Sequence, residues 1–463
     1  MAYYQSAPFS LEQFERWLDT FLNFEKLPHK NMFWLDTMQL LCNRLAHPEN
    51  AAPCFHVAGS KGKGSVATMI ACILEAAGFS AGLYTSPHIA DFRERVSTPH
   101  GFFDNSVYGY AARELMACIS STSAESLTRP ITWFELVTLY AFLCFRRAAV
   151  DYSVYEVGMG GRLDATNVVT PRAGCITAIE REHTEYLGDT LEKIAAEKAG
   201  IIKAGIPVIV AAQKSAAVRN VFEKKAEECG SMCIFVDDFT TFLEYSYMHM
   251  HSKTSLSPDF PLPAMRLSFE SPLFSRRITA TMRLLGNAQA RNAVQAALAV
   301  KTALPDIAEE AIERGLAHAT LPARFEIVPP GKLQPPIIYD GAHTVQSIAE
   351  TIATLKAVFP TAACHALFAC GADKRVDDIA PLFCGAFEKI TVTTPGTARQ
   401  SDLAHAERAF RNTHVPCECI SDFEAAVRTA FSRAQSSNAV LLVVGSFYLV
   451  ADVKKLWSSH ARS

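Results

Sequence analysis

The sequence has little excess of charge of either sign. Its 463 residues carry 44 Lys and Arg against 47 Asp and Glu, a net charge of -3. That balance argues against a main partner with a nucleic-acid backbone, while leaving room for a local basic site that binds phosphates. Long apolar runs are absent too. No stretch reaches 18 consecutive apolar residues, and candidates such as 440–444 have the length of a strand, so no membrane partner is expected. The N-terminus shows no basic region leading into an apolar run, and Glu12, Glu15 and Asp19 fit poorly with an Arg-rich transit peptide. The 13 cysteines include no CxxC pair. Cys72, Cys144, Cys175 and Cys370 sit inside apolar runs and read as core residues, while Cys229/Cys233 and Cys417/Cys419 are too sparse for a zinc site. The odd count points to a reducing compartment, and a cytoplasmic protein is expected.

What is present is material for a core. Hydrophobic residues make up 49% and charged residues 20%, enough at this length for two or three packed domains. Strand-like runs at 55–58, 150–157, 175–178 and 207–212 alternate with helix-like segments at 65–77 (stopped by Gly78), at 190–198 and through Ala226. This rhythm predicts a largely parallel sheet covered by helices. It breaks between Asp237 and Arg283, where Ser, Thr, Phe, Tyr and the prolines 258, 261 and 263 predict short antiparallel strands and loops. A helix over 288–304 follows. A second α/β unit begins near Pro322, with strands at 337–339, 366–370, 389–393 and 438–444, and helices over 343–359 and at the C-terminus. The division predicted is 1–321 and 322–463, with a hinge near Leu321.

The sharpest local signal is the turn Gly59-Ser60-Lys61-Gly62-Lys63-Gly64-Ser65 between a strand and a helix. Glycines let backbone N–H groups fold around a polyphosphate, the helix N-terminus adds partial positive charge, and Lys63 supplies a full one. The strict pattern GxxxxGK[ST] is not met, because Gly64 follows Lys63 and the hydroxyl of Ser65 comes one place later. Glu156 ends an apolar strand before a Gly-rich turn, a place suited to a carboxylate that holds Mg²⁺ near a phosphate. Ser86 and His183 also follow strand-like segments. From spacing alone His183 reads as a packing or surface histidine, and Lys198 as a solvated lysine at a helix end. Asp340 reads as an N-cap, a phosphate-site residue, or both. Arg324 lies at the domain junction, where Arg suits phosphate.

Taken in order, these stretches resemble the folylpolyglutamate synthase/dihydrofolate synthase family of the Mur-ligase superfamily. GSKGKGS resembles the family's GTNGKGS, and YTSPHI with FRERV, EVGMGGRLDATNV, LGDTLEKIAAEKAGIIKAGIPV, PARFE, DGAH and GSFYLV match over roughly 35–449. The resemblance implies an α/β architecture: a large N-terminal P-loop Mur-ligase-like domain with a parallel central sheet and a small antiparallel sheet, after N-terminal helices. A smaller Rossmann-like C-terminal α/β domain would complete it. It implies ATP and Mg²⁺ as cofactors, with Lys63 and the loop Gly59, Ser60, Lys61, Gly62, Gly64 and Ser65 around the phosphates. Ser86, Glu156 and His183 would bind Mg²⁺, reversing the spacing-based reading of His183. Lys198 matches a lysine carbamylated in relatives. Asn292, Arg324, Asp340 and His343 would contact nucleotide, and Lys63, Lys198, His183 and Arg324 would carry catalysis.

The implied reaction activates a pterin carboxylate as an acyl phosphate, which the amine of L-glutamate then attacks. Dihydropteroate, a reduced folate, or both would be substrates of a monomer, with 85–95 and 131–135 as candidate pterin lining. From its residues Phe134 reads equally as a stacking platform or as core. The chain departs from the family pattern at Lys61 (usually Asn), Glu182 (Asp), Ala288 (His), Thr344 (Asn) and Arg375 (Asp). Two other readings compete. A cell-wall amino-acid ligase would be expected to carry more than the roughly 54 residues found before the first strand. A non-catalytic nucleotide-binding protein is opposed by the intact Lys63, Glu156, His183 and Lys198.

Overall fold

A computed structural model describes residues 9–23, 35–123, 127–248, 262–330, 335–395, 401–413 and 415–460. Pro258 and Pro261 lie outside the described residues. The first seven strands are β1 (Cys54–Ala58), β2 (Ala81–Tyr84), β3 (Val96–Ser97), β4 (Tyr152–Glu156), β5 (Ala173–Ile176), β6 (Val208–Val210) and β7 (Cys233–Phe235). They form one sheet in the order β3-β2-β4-β1-β5-β6-β7, parallel except at β3. β1 and β4 are buried nearly throughout, because helices cover both faces of a parallel sheet. The sequence expectation of a parallel sheet holds here, with β4 and β6 shorter than the runs 150–157 and 207–212, β1 one residue longer than 55–58, and β5 two residues earlier than 175–178.

β1 lies between β4 and β5, and the chain leaves β1 to return at β2, on the far side of β4. The crevice at the carboxyl ends of these strands is where an open α/β sheet binds ligands. On one face the helix Lys63–Ala76 packs between the sheet and the helices Asn287–Ala303 and Glu309–His318. Its contact with the latter is close: a Cβ on Gly315 would lie 2.4 Å from the Ile73 Cα. On the other face the helices Asn105–Ser120 and Trp133–Ala148 meet the N-terminal helices Leu11–Leu18 and Asp36–Arg44 around Phe14, Leu18, Tyr108 and Tyr140. Each large apolar side chain buried here contributes roughly 1.5–3 kcal/mol.

The irregular stretch resolves as expected into three antiparallel strands, β8 (Phe242–Met248), β9 (Ala264–Glu270) and β10 (Ile278–Met282), in the order β10-β9-β8. A second, C-terminal α/β domain holds β11 (Glu326–Val328), β12 (Ile337–Asp340), β13 (Cys364–Phe368), β14 (Lys389–Val392), β15 (Cys417–Cys419) and β16 (Val440–Val444). Their order is β11-β12-β16-β13-β14-β15, antiparallel only at β11. The helix expected from residue 343 begins at Val345, because Thr344 caps it by accepting from Ser347 N at 3.3 Å. Among the described residues no helix is long and apolar enough to cross a membrane.

Candidate active site

The loop after β1 is bound to the exit of β5. Ser60 N and Lys61 N donate to the Ala178 carbonyl at 3.0 and 3.4 Å, and Ser60 Oγ donates to the Glu180 carbonyl at 3.1 Å. Two of its glycines are dictated by space and torsion. Gly59 has φ +140° and its absent Cβ would lie 1.8 Å from Thr177 Oγ1; Gly62 has φ +92° and would meet Asn292 Oδ1 at 2.7 Å. The helix starts at Lys63 with no side-chain cap, so its first N–H groups remain available to an anion. Lys63 Nζ rests on the Gly59 carbonyl at 3.1 Å. Ser65 Oγ is buried and has no hydrogen-bond partner among the described residues.

Glu156, the last residue of β4, accepts from Ser86 N at 2.9 Å. It reaches the loop through the space over Gly64, where a Cβ would lie 3.3 Å from Glu156 Oε2. Burial pushes its carboxyl above the usual range, and Lys63 pulls it back. His183 stands at φ +47° at the start of a short helical turn, and burial lowers its pKa. The solvated reading of Lys198 is wrong. Its side chain is 1% exposed, and Nζ donates to the Gly59 carbonyl and to Glu182 Oε1, each at 2.8 Å. Burial brings this lysine down to about 8. Burial would raise Glu182, but Lys63 and Lys198 outweigh it and hold the carboxyl below its ordinary value.

The facing wall comes from the C-terminal domain. Asp340 ends β12 and accepts from Phe325 N and Ala342 N, both at 2.8 Å, which fixes the turn carrying Arg324. The Arg324 guanidinium lies 4.7 Å from the Phe447 ring centre. His343 Nδ1 is 2.8 Å from the Gly341 carbonyl; since a carbonyl only accepts, the proton is on Nδ1 and Nε2 is an acceptor. Burial and then the Lys61 charge push His343 down to about 4, so Lys61 links the loop to this wall. Asn292 faces Gly62 and donates from Nδ2 to Gln289 Oε1 at 3.2 Å, while Gln295, one turn later, ties the helix to the sheet by donating from Nε2 to the carbonyls of Ile176 and Ile209 at 2.9 Å each.

The other end of the cleft is more apolar. Phe134 is half-buried and its ring lies so near Gly158 that a Cβ there would be 2.3 Å from Phe134 Cζ. Thr132 and Glu135 cap this helix reciprocally, and Arg129 grips Glu135 with two bonds of 3.0 and 2.6 Å. Asp164 accepts from Met159 N at 3.0 Å and so holds the Gly-rich turn after β4.

One cleft of about 1120 Å³ joins these walls. It is lined by Ser60, Lys61, Gly62, Lys63, Gly64, Ser65, Ser86, Glu156, His183, Asn292, Arg324, Asp340 and His343, together with Phe134. Gly59 and Lys198 lie just beneath this lining, joined by their hydrogen bond. Among the departures, Ala288 lines the cleft, Thr344 serves as a cap, and Arg375 pairs with Asp378.

Residues 57–300 match the model of the Mur ligase middle domain, and 323–447 that of the Mur ligase glutamate ligase domain. The dihydrofolate synthase/folylpolyglutamate synthase of Bacillus subtilis is 30% identical over 91% of this chain and 94% of its own length. The chain belongs to the folylpolyglutamate synthase/dihydrofolate synthase family. Its members are ATP-dependent amide-forming ligases, and this chain is one of them. The folylpolyglutamate synthase of Lacticaseibacillus casei is 31% identical over 90% of this chain and 92% of its own. An Escherichia coli structure of the family, in complex with DHPP and ADP, superposes with a TM-score of 0.75 at 25% identity over 99% of both chains.

Residue patterns left Phe134, within the candidate lining 131–135, open between platform and core, and they did not reveal the buried environment of Lys198. The apolar periodicity of 133–148 was available as a signal for the first. No local signal marked the second.

Proposed function

We propose that this protein is a bifunctional synthase that adds L-glutamate to dihydropteroate and to a reduced folate. The observation that carries the reading is the single cleft running from the phosphate loop to the ring of Phe134. ATP phosphates at one end and a pterin at the other leave the acid group between them. The single-activity alternative, a folylpolyglutamate synthase, uses the same arrangement and differs only in the acid accepted.

In this reading the N–H groups of Gly62–Ser65 and the Lys63 ammonium hold the β- and γ-phosphates. Arg324, Asp340, His343 and Asn292 bind the nucleotide, with His343 Nε2 accepting from a hydroxyl. A carboxylate oxygen of the pterin substrate attacks the γ-phosphorus as the bond to ADP breaks. The glutamate amine, having lost its proton, attacks the acyl carbon, and phosphate leaves. Arg324 and Phe447 shield the acyl phosphate from water. Lys198, brought to about 8 by burial, has the neutral fraction that carbamylation by CO₂ requires.

Mg²⁺ fits the residues present. Glu156 is a buried carboxylate against the loop, Ser65 Oγ lacks a partner among the described residues, and Ser86 and His183 line the same cleft. Bound there, the ion would neutralise phosphate charge. Among the described residues no three His, Cys, Asp or Glu come together to hold a metal ion, so phosphate and water would have to supply the remaining ligands. We assign the domains to 1–321 and 322–463, and expect a cytoplasmic monomer with no nucleic-acid or membrane partner.

The test is incubation with Mg-ATP and L-glutamate, in parallel with dihydropteroate and with tetrahydrofolate, with products read by mass. Glutamate addition to both acids is expected. Addition to tetrahydrofolate alone would support the single-activity alternative, and addition to neither would overturn the reading.

A further inference from the structure

We propose that His88 is a substrate-contacting residue, donating a hydrogen bond from Nε2 to the carboxylate that becomes phosphorylated, and that Arg95 is the positioning residue that fixes its tautomer. The inference rests on the function proposed above and adds to it the residue that orients the acid group.

His88 lines the cleft two residues after Ser86, whose N–H binds Glu156, and on the same cleft as Phe134. That is the stretch between the phosphate loop and the apolar end, where the acid must lie to reach a γ-phosphate. Arg95 Nε donates to His88 Nδ1 at 2.8 Å. A guanidinium stays charged and can only donate, so Nδ1 is an acceptor and the ring proton belongs to Nε2. The contrast with His343, whose proton is on Nδ1, is direct. Of these two histidines, His343 offers an acceptor at Nε2 and His88 a donor, and a carboxylate calls for the donor.

The loop that carries His88 is held rigid. Arg95 is buried, and its guanidinium lies 4.8 Å from the Trp133 ring centre, next to Phe134 in sequence. Glu94 Oε2 accepts from Ile89 N at 2.6 Å, and Oε1 accepts from Ala90 N and Asp91 N at 3.0 Å each. Thr85 N closes the base of the loop on the Arg95 carbonyl at 3.1 Å. A donor held this way needs little reordering when the acid arrives, which is the condition for it to lower the barrier. No proton is transferred by His88; it orients the oxygen that attacks.

The experiment uses the full chain and steady-state ligation with dihydropteroate and L-glutamate. His88→Ala should raise the KM for the acid about tenfold and leave the KM for ATP within twofold. His88→Gln, which restores a donor near the Nε2 position, should recover most of the loss, and His88→Asn should not. Arg95→Met should reproduce the Ala variant's split between the two KM values. Circular dichroism and melting temperature of each variant separate loss of folding from loss of contact. An unchanged acid KM in His88→Ala, an equal rise in both KM values, or a Gln variant as impaired as the Ala variant would overturn the inference. Failure of the unsubstituted protein to ligate would instead overturn the function on which it rests.

Discussion

Lys198 and Glu182 form a 2.8 Å ion pair beneath the phosphate loop, and the same ammonium holds the carbonyl of Gly59. The pair ties the helix Leu191–Ala199 to the turn that carries His183 and to the start of the loop that carries Lys63. With its pKa near 8, Lys198 keeps about a tenth of its amine neutral at pH 7. Protein incubated with ¹³C-bicarbonate should therefore show a carbamate carbon resonance that Lys198→Ala lacks. Ligation by that variant should fall about 100-fold or more while ATP still binds. An identical spectrum in both proteins would rule the modification out.

Gly62→Ala should weaken ATP without unfolding the domain. The new methyl meets Asn292 Oδ1 at 2.7 Å on a backbone with φ +92°, a strain of about 1–3 kcal/mol. Titration calorimetry should give an ATP affinity about 10- to 100-fold lower. Lys63→Ala should bind still less and abolish ATP turnover; full ligation by that variant would refute the loop assignment.

Gly158→Ala should act at the opposite end. Its methyl would fall 2.3 Å from Phe134 Cζ, so the ring must turn out of its place. We expect the KM for the pterin acid to rise about tenfold, with the ATP KM unmoved. If both constants shift together, Phe134 is not a platform for that substrate.

Acid should cost the fold stability through a buried and a half-buried histidine. His56, fully buried in β1, is pushed down to about 3 by burial and then by Lys203, and His343 to about 4. Both stay neutral in the folded state, whereas the unfolded chain takes up their protons below about pH 6.5. The unfolded state thus binds more protons, and stability is lost as pH falls from about 6.5 towards those values. At pH 5 each accounts for about 2 kcal/mol. The buried carboxyls of Glu156 and Asp340, raised by burial, work in the other direction, so the comparison is made by difference. Between pH 7 and pH 5 the urea midpoint of His56→Gln should shift less towards instability than that of the unsubstituted chain. Parallel shifts in the two proteins would contradict the assignment.

Much of this site could be read before the fold was known. The loop announced itself because glycines, lysines and a helix start must be adjacent in sequence to cradle a phosphate. Glu156 was legible because a carboxylate at the end of the buried strand β4 needs a partner. Lys198 was not, since a helix-end lysine has the same local pattern whether water or Gly59, 139 residues earlier, receives its proton. Phe134 was ambiguous for a related reason. Its helix is apolar nearly all round, and only the close approach of Gly158 shows which part of it faces the cleft. The helix expected from 343 starts two residues later, and Thr344 rather than Asp340 caps it, because a helix pattern does not reveal which side chain ends it.

The contact between Gly64 and Glu156 also explains an irregularity of spelling. A nucleotide loop of the common kind places a hydroxyl straight after its lysine. Here a Cβ at that position would come to 3.3 Å from Glu156 Oε2, so a side chain there presses on an acid lent from the neighbouring strand. The hydroxyl is displaced by one residue to Ser65. A side chain at 64 would therefore trade directly against the place of the Glu156 carboxylate.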